Sequence, residues 1–261
     1  MRATRVPPRD ASTVILVRHG HPTGRPWQCF MVRRHVRSDF AADVFVFPGG
    51  KVDEADFDPR LREHVSGHPS PECTVEGTDA WRGLRLAAIR ELFEEAGVLL
   101  ATRTDDSLVK LTEDEDRFSW YRESLQKGSS TLLELAEAEN LRFALDRLHP
   151  FSRWITPEPL PRRYDTRFFV AYLPEHQEPL HDARETTDSV WITPRQALER
   201  FDAGDFPLVF ATYKHLERMA RFHSVEEMIS ATGASDLEPV MPRIIDRDGR
   251  EDFLLPGDPG Y

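Results

Sequence analysis

A mixed α/β sandwich is the fold class this sequence predicts, on three observations. Short β-branched and aromatic runs alternate with helical patterns along the chain. One apolar strand runs straight into a Pro48-Gly49-Gly50 turn. With 261 residues and 39% hydrophobic content, the chain can bury a sizeable core, most simply as one elaborated domain over 1–261.

Thr13 to Val17 and Gln28 to Val32 predict two strands, and His19 to Pro26 between them is rich in Gly and Pro, as in a hairpin loop. Val44 to Phe47 predicts a third strand. Asp53 to Asp79 is polar with little periodicity and predicts an irregular excursion before a helix from Ala80 or Trp81 to about Ala96. Gly97 ends that helix, glycine being the residue that enters the left-handed region without a Cβ penalty. Glu113 to Gln126 and Thr131 to Asn140 predict charged helices. With the run from Leu141 to Leu148 they read as a helical insert over about 105–150. Ser152 to Thr156, Arg167 to Tyr172 and Ser189 to Ile192 predict further strands. Thr193 as cap and Pro194 at the first position open a helix to about Ala203. Pro207 to Phe222 predicts one more, with Leu208, Ala211, Leu216 and Met219 on its buried face. The core then runs over about 11–204, and 205–261 is a C-terminal extension with helices.

The net charge of −11 and pI near 5.4 argue against a nucleic-acid polymer as partner, because such binding rests on neutralising phosphates with Lys and Arg. A small phosphorylated ligand needs only a local basic pocket. The cysteines Cys29 and Cys73 lack metal-type or redox-type spacing, which fits a reducing compartment. The N-terminus has no apolar region of signal type, and no stretch approaches a membrane span, so a soluble cytoplasmic protein is expected.

Arg90 to Val98 reads R-E-L-F-E-E-A-G-V and is the most informative stretch. Glu91, Glu94 and Glu95 project from one helical flank, where like charges repel. A divalent cation with oxygen ligands would offset that repulsion. Ile89, Leu92, Phe93 and Ala96 form the apolar stripe that pins the helix, and Arg90 lies four residues before Glu94, placed to orient its carboxylate. The alternative is a solvated helix with a charged outer face.

Joined to the glycine turn, the segments F-P-G-G-K-V-D-E-A-D and R-E-L-F-E-E-A-G-V resemble the Nudix box, G-x5-E-x7-R-E-U-x-E-E-x-G-U with U aliphatic. Gly50 matches the first glycine, Arg90-Glu91 the R-E pair, Glu94-Glu95 the E-E pair, and Gly97 the last glycine. Asp56 stands where the family has Glu, and a longer interruption, about 57–80, precedes Arg90. The resemblance covers roughly Ala11 to Gly204. It implies a Nudix-type α/β/α sandwich with a mixed sheet, and hydrolysis of a nucleoside diphosphate derivative with Mg²⁺ or Mn²⁺. By position it makes Glu94 and Glu95 metal ligands, Glu91 a ligand or base, and the Gly49 carbonyl a further metal contact. A last carboxylate is expected ahead of the strand carrying Trp191, with Glu185 preferred and Asp188 second.

The interrupted box and W-I-T-P-E-P-L-P-R-R-Y-D-T-R-F-F are similar to the Nudix branch that includes peroxisomal coenzyme A diphosphatases. That points to CoA or acyl-CoA as substrate. Hydrolysis of ADP-ribose, NADH or dinucleoside polyphosphates, and a non-catalytic metabolite sensor on this fold, are the alternatives. An isomerase of isopentenyl diphosphate would need a placed cysteine that neither Cys29 nor Cys73 supplies. Arg162 and Arg163 are expected to fork over substrate phosphate, Arg34 to do the same from the end of a strand, and Tyr164 to stack on a base. The insert is expected to lid the substrate or to form a homodimer surface.

Overall fold

Strand β1 (Arg9–Arg18) buries Val14 and Leu16 on one face and Ile15 and Val17 on the other. Side chains alternate across a strand, so this sheet must be covered on both sides. The computed structural model describes residues 6–20, 26–35, 43–67, 78–182, 186–232, 237–247 and 249–261. Next in the chain come β2 (Gln28–Arg34), β3 (Phe45–Val46), β4 (Gly49–Lys51) and β5 (Val65–Ser66). Helix α1 (Thr78–Ala96) leads to β6 (Ala101–Thr102), α2 (Glu115–Gln126), α3 (Leu132–Glu139) and β7 (Arg142–Ala144). Then follow β8 (His149–Ile155), β9 (Tyr164–Tyr172), β10 (Thr186–Ile192), α4 (Pro194–Asp202), α5 (Phe210–Met219) and α6 (Val225–Ala231). The short strand β11 (Pro239–Val240) and the hairpin strands β12 (Arg243–Arg247) and β13 (Arg250–Leu254) come last.

The main sheet has the order β10-β2-β1-β9-β8-β11, with β3 on β2 and β4 on β1. It is mixed: β1 and β9 run parallel from Arg9 opposite Tyr164 to Val17 opposite Tyr172 and β8 runs parallel to β11, while β2 and β4 pair antiparallel with β1 and β8 with β9. On one face α1, α2 and α3 bury Leu92, Phe93, Phe118, Leu125 and Leu135 against Val14, Phe30 and Phe169. On the other, α4, α5 and α6 bury Ala197, Leu216, Met219 and Met228 against Ile15, Met31 and Val170. The result is the expected α/β/α sandwich. Among the described residues no helix is long and apolar enough to cross a membrane.

Three expectations are corrected. Leu141 to Leu148 does not extend the helical insert: Asn140 takes a left-handed φ of 52° that ends α3, and β7 then pairs with β5 and β6. Leu141 and Phe143 are buried and Arg142 is exposed, a period of two that favours a strand. The excursion after Asp53 is not wholly irregular, since 3₁₀ turns form at Glu54–Phe57 and Pro59–His64, the first closed by Asp53 and Asp56 as reciprocal caps. The C-terminal extension adds the β12–β13 hairpin to its helices, and α5 starts at Phe210 rather than Pro207.

Gly97 closes α1 with a φ of 66°, its N–H donating to the Phe93 carbonyl at 2.9 Å. A Cβ there would stand 2.9 Å from an Arg122 guanidinium nitrogen. Gly97→Ala should therefore cost about 1–2 kcal/mol from the left-handed backbone alone, read as a lower urea midpoint at unchanged slope. An unchanged midpoint would show that the helix can end there without glycine.

Candidate active site

The Pro48-Gly49-Gly50 turn meets α1 because neither glycine carries a side chain. A Cβ on Gly49 would fall 2.4 Å from Thr13 Oγ1 and 2.6 Å from the Ser12 carbonyl of β1. A Cβ on Gly50 would fall 2.4 Å from Glu91 Oε2. Both approaches are closer than any other residue allows. The Gly49 N–H donates to Glu95 Oε2 at 2.9 Å, tying the turn to the last turn of the helix.

Arg90 organises the carboxylates. Its Nε and Nη2 donate to both oxygens of Asp56 at 3.0 Å, a bidentate pair across the interruption. Nη1 donates to Glu91 Oε1 at 2.8 Å and to Glu94 Oε1 at 3.1 Å, and Nη2 also donates to the Lys51 carbonyl at 2.7 Å. Asp56 thus binds Arg90 from the sequence position at which the family pattern has Glu. With those donors directed at protein groups, Arg90 serves to orient its neighbours.

Electrostatically the site has an excess of negative charge held away from water. Burial raises Glu91 well above its usual range, and the neighbouring Glu95 and Glu94 raise it further, against the attraction of Arg90. Burial also raises Glu94 and Asp56, partly countered by Arg90. Burial alone would lower Arg90, but its bonds to Asp56 and the charge of the glutamates leave it raised and firmly protonated. Among the described residues no group of three or more His, Cys, Asp or Glu side chains stands ready as an ion-binding shell, since Arg90 lies between Glu91 and Glu94. The donor set nevertheless fits a hard divalent cation: it is all oxygen and its carboxylates outnumber the single buried guanidinium.

These groups open into a cleft of about 740 Å³. It is lined by the glycine turn with Glu91, Glu94 and Glu95, by Arg34 of β2, and by Tyr164 and Thr166 of β9. The turn between α2 and α3, from Leu125 to Leu132, contributes further lining residues, as does Asp182. Arg34 keeps a buried Nε with no hydrogen-bond partner among the described residues, a donor available to an anion.

Other expected residues lie elsewhere. Arg162 is exposed and does not line the cleft. Arg163 is buried and donates to the Thr156 carbonyl at 3.0 Å and the Val6 carbonyl at 2.8 Å, so the expected fork over phosphate is not formed by this pair. Glu185 lies outside the described residues. Asp188 is exposed on β10 opposite Arg33 and does not reach the cleft. Among the described residues of the same loop the carboxylate that does is Asp182, which the sequence did not single out. Its Oδ1 accepts from Thr186 N at 3.0 Å and Thr186 Oγ1 at 2.8 Å. Lys51 and Lys127 also line the cleft and were not singled out; the first follows the glycine turn directly and was within reach of the motif.

Comparison with known proteins agrees with this geometry. The family described as the NUDT19 Nudix domain matches residues 8–219. The chain is 26% identical over 271 residues to a Xenopus laevis protein named acyl-coenzyme A diphosphatase NUDT19, covering 90% of this chain and 71% of that one. It is 27% identical over 277 residues to the Homo sapiens protein of the same name, covering 92% and 74%. The crystal structure of a Nudix hydrolase from Alicyclobacillus acidocaldarius superposes with a TM-score of 0.73 at 27% identity, over 87% of this chain and 98% of that one. A glycine turn, an arginine-bound set of glutamates and a match through both halves of the core lead to one conclusion: this chain belongs to the Nudix hydrolase family, in the group of the NUDT19 Nudix domain.

Proposed function

We propose that the protein hydrolyses the pyrophosphate linkage of coenzyme A or acyl-coenzyme A, releasing adenosine 3′,5′-bisphosphate and a phosphopantetheine product. The observation that carries this reading is the complete Arg90-Glu91, Glu94-Glu95 set facing a cleft in a chain whose relatives over most of its length are named acyl-coenzyme A diphosphatases. A protein that only bound such a ligand would have no chemical need for buried carboxylates in excess.

Pyrophosphate hydrolysis requires neutralised charge, a placed water and removal of its proton. Glu91, Glu94 and Glu95, with the Gly49 carbonyl, would hold Mg²⁺ or Mn²⁺, which supplies charge neutralisation and an activated water when bound. Arg90 holds Glu91 and Glu94 in orientation, and Asp56 holds Arg90. Arg34 of β2 would donate to a substrate phosphate, and Tyr164 of β9 would offer a ring face to the adenine. Glu185 or Asp182 supplies the carboxylate of the loop before β10. A cytoplasmic setting fits the buried free thiol of Cys29.

The direct test is incubation with CoA, acyl-CoA, ADP-ribose, NADH and a dinucleoside polyphosphate, each with Mg²⁺ or Mn²⁺, and identification of products. Adenosine 3′,5′-bisphosphate from CoA is expected to dominate; turnover of the other arms alone would reassign the substrate. Glu94→Gln should reduce turnover at least about a hundredfold while circular dichroism and thermal midpoint stay near wild type. Wild-type rates in that variant would remove the glutamate from the chemistry.

Asp56→Ala leaves a buried guanidinium short of its bidentate partner and should cost about 3–5 kcal/mol of stability by chemical denaturation. A cost under about 1 kcal/mol would show that Arg90 relaxes into solvent or onto Asp53, 3.6 Å away.

Glu91 gives a pH prediction. Its folded value is raised above the ordinary 4.5, so between the two values the folded state binds more protons and stability falls as pH rises. Without divalent cation, the stability advantage of Glu91→Gln over wild type should therefore grow from acid pH through the folded value of Glu91. A constant difference across that window would mean that Glu91 titrates alike in both states.

A further inference from the structure

Helix α2 lies outside the box, yet its polar face ends on the carbonyls that close the catalytic helix. The last carbonyls of a helix have no partner within it. Here Arg122 Nε donates to the Glu94 carbonyl at 2.9 Å and Nη2 to the Glu95 carbonyl at 3.1 Å. The same Nη2 reaches the Leu180 carbonyl at 2.8 Å, in the loop that carries Asp182. One turn further along α2, Gln126 Nε2 donates to the Glu94 carbonyl at 2.7 Å and to Asp182 Oδ2 at 3.3 Å. The loop returns a bond of its own, Leu180 N–H to the Ala96 carbonyl at 3.0 Å.

The planar guanidinium fixes three acceptors at once in a fork that lysine cannot reproduce. Its positive charge also suits the negative end of α1. Asp182 is held from both sides, one oxygen by Thr186 of β10 and the other by Gln126 of α2. The acidic residues that line the cleft from α1, Glu94 and Glu95, and from the loop before β10, Asp182, are therefore joined through side chains of the insert.

We propose that Arg122 and Gln126 are positioning residues, a clamp by which the insert sets the Asp182 loop against the glutamate turn and so governs turnover at the cleft. This rests on the diphosphatase reading above. It gives α2 a part in the reaction without contact with the reacting atoms, and couples any movement of the insert to the acidic groups.

The test is a double-mutant cycle in the full-length protein with CoA and Mg²⁺, beside Mn²⁺ affinity by calorimetric titration. Gln126→Leu, which keeps the side-chain bulk, should lower kcat about tenfold with KM within about twofold. Added to Asp182→Ala, the same change should cost clearly less, because the acceptor on the loop is gone and only the bond to the Glu94 carbonyl remains to be lost. Arg122→Met should lower kcat and weaken Mn²⁺ binding about tenfold, with Arg122→Lys recovering part of each. An unchanged kcat in Gln126→Leu, or the same loss with and without Asp182, would overturn the clamp. Failure of the wild type to cleave any pyrophosphate substrate would overturn the diphosphatase reading. The clamp would still be read by metal affinity, and an Arg122→Met protein with wild-type Mn²⁺ binding would overturn it.

Discussion

Arg90 is a fully engaged guanidinium at the meeting point of three separate pieces of chain. It holds the Lys51 carbonyl after the glycine turn, both oxygens of Asp56 in the following 3₁₀ turn, and Glu91 and Glu94 on its own helix. A buried charge of this kind is tolerated only when its donors are satisfied and its sign is balanced. Here the balance is reversed, with one cation among several carboxylates, so the arrangement is complete as structure while retaining an appetite for further positive charge. The glycine turn and the helix geometry follow from it, since Gly49 and Gly50 must approach closely enough for Glu95 and Glu91 to meet the turn.

That pairing also explains how the box survives its interruption. Asp56 and Arg90 are far apart in sequence but locked in space, and the chain between them leaves through the Pro59–His64 turn and β5 and returns at α1. Loop-closure entropy grows only logarithmically with length, so a longer excursion costs little provided its two ends are fixed. The β5-β7-β6 sheet ties the outgoing chain to the end of the insert, so the interruption and the insert share one small scaffold.

Much of this was legible in the residues themselves. The period of Ile89, Leu92, Phe93 and Ala96 declared the buried face of α1, and their near-zero exposure follows from it. Asp56 was identified by its spacing from Gly50, but its pairing with Arg90 was not, because i,i+4 spacing pointed Arg90 to Glu94 on its own helix. Arg163 misled because two prolines and two arginines before a strand suggest an exposed basic fork. The carbonyls that claim it, at Thr156 and Val6, come from a neighbouring loop and a distant segment that no local pattern connects. Asp182 was passed over because Glu185 and Asp188 stand nearer Trp191 in the sequence, whereas among the described residues of that stretch it is Asp182 that lines the cleft. The lining from Leu125 to Leu132 was likewise hidden, for it depends on how α2 docks on α1.

The parallel pairing of β1 with β9 has a consequence for how the molecule is made. Arg9 must wait for Tyr164 before the centre of the sheet exists, and Tyr164 and Thr166, which line the cleft, arrive with it. Contacts of such sequence separation form slowly, and edges left open meanwhile are prone to wrong pairing. During synthesis the glutamate helix therefore emerges well before the strand that completes the cleft, so the nascent chain carries its acidic residues as an unassembled part until the second half of the core has left the ribosome.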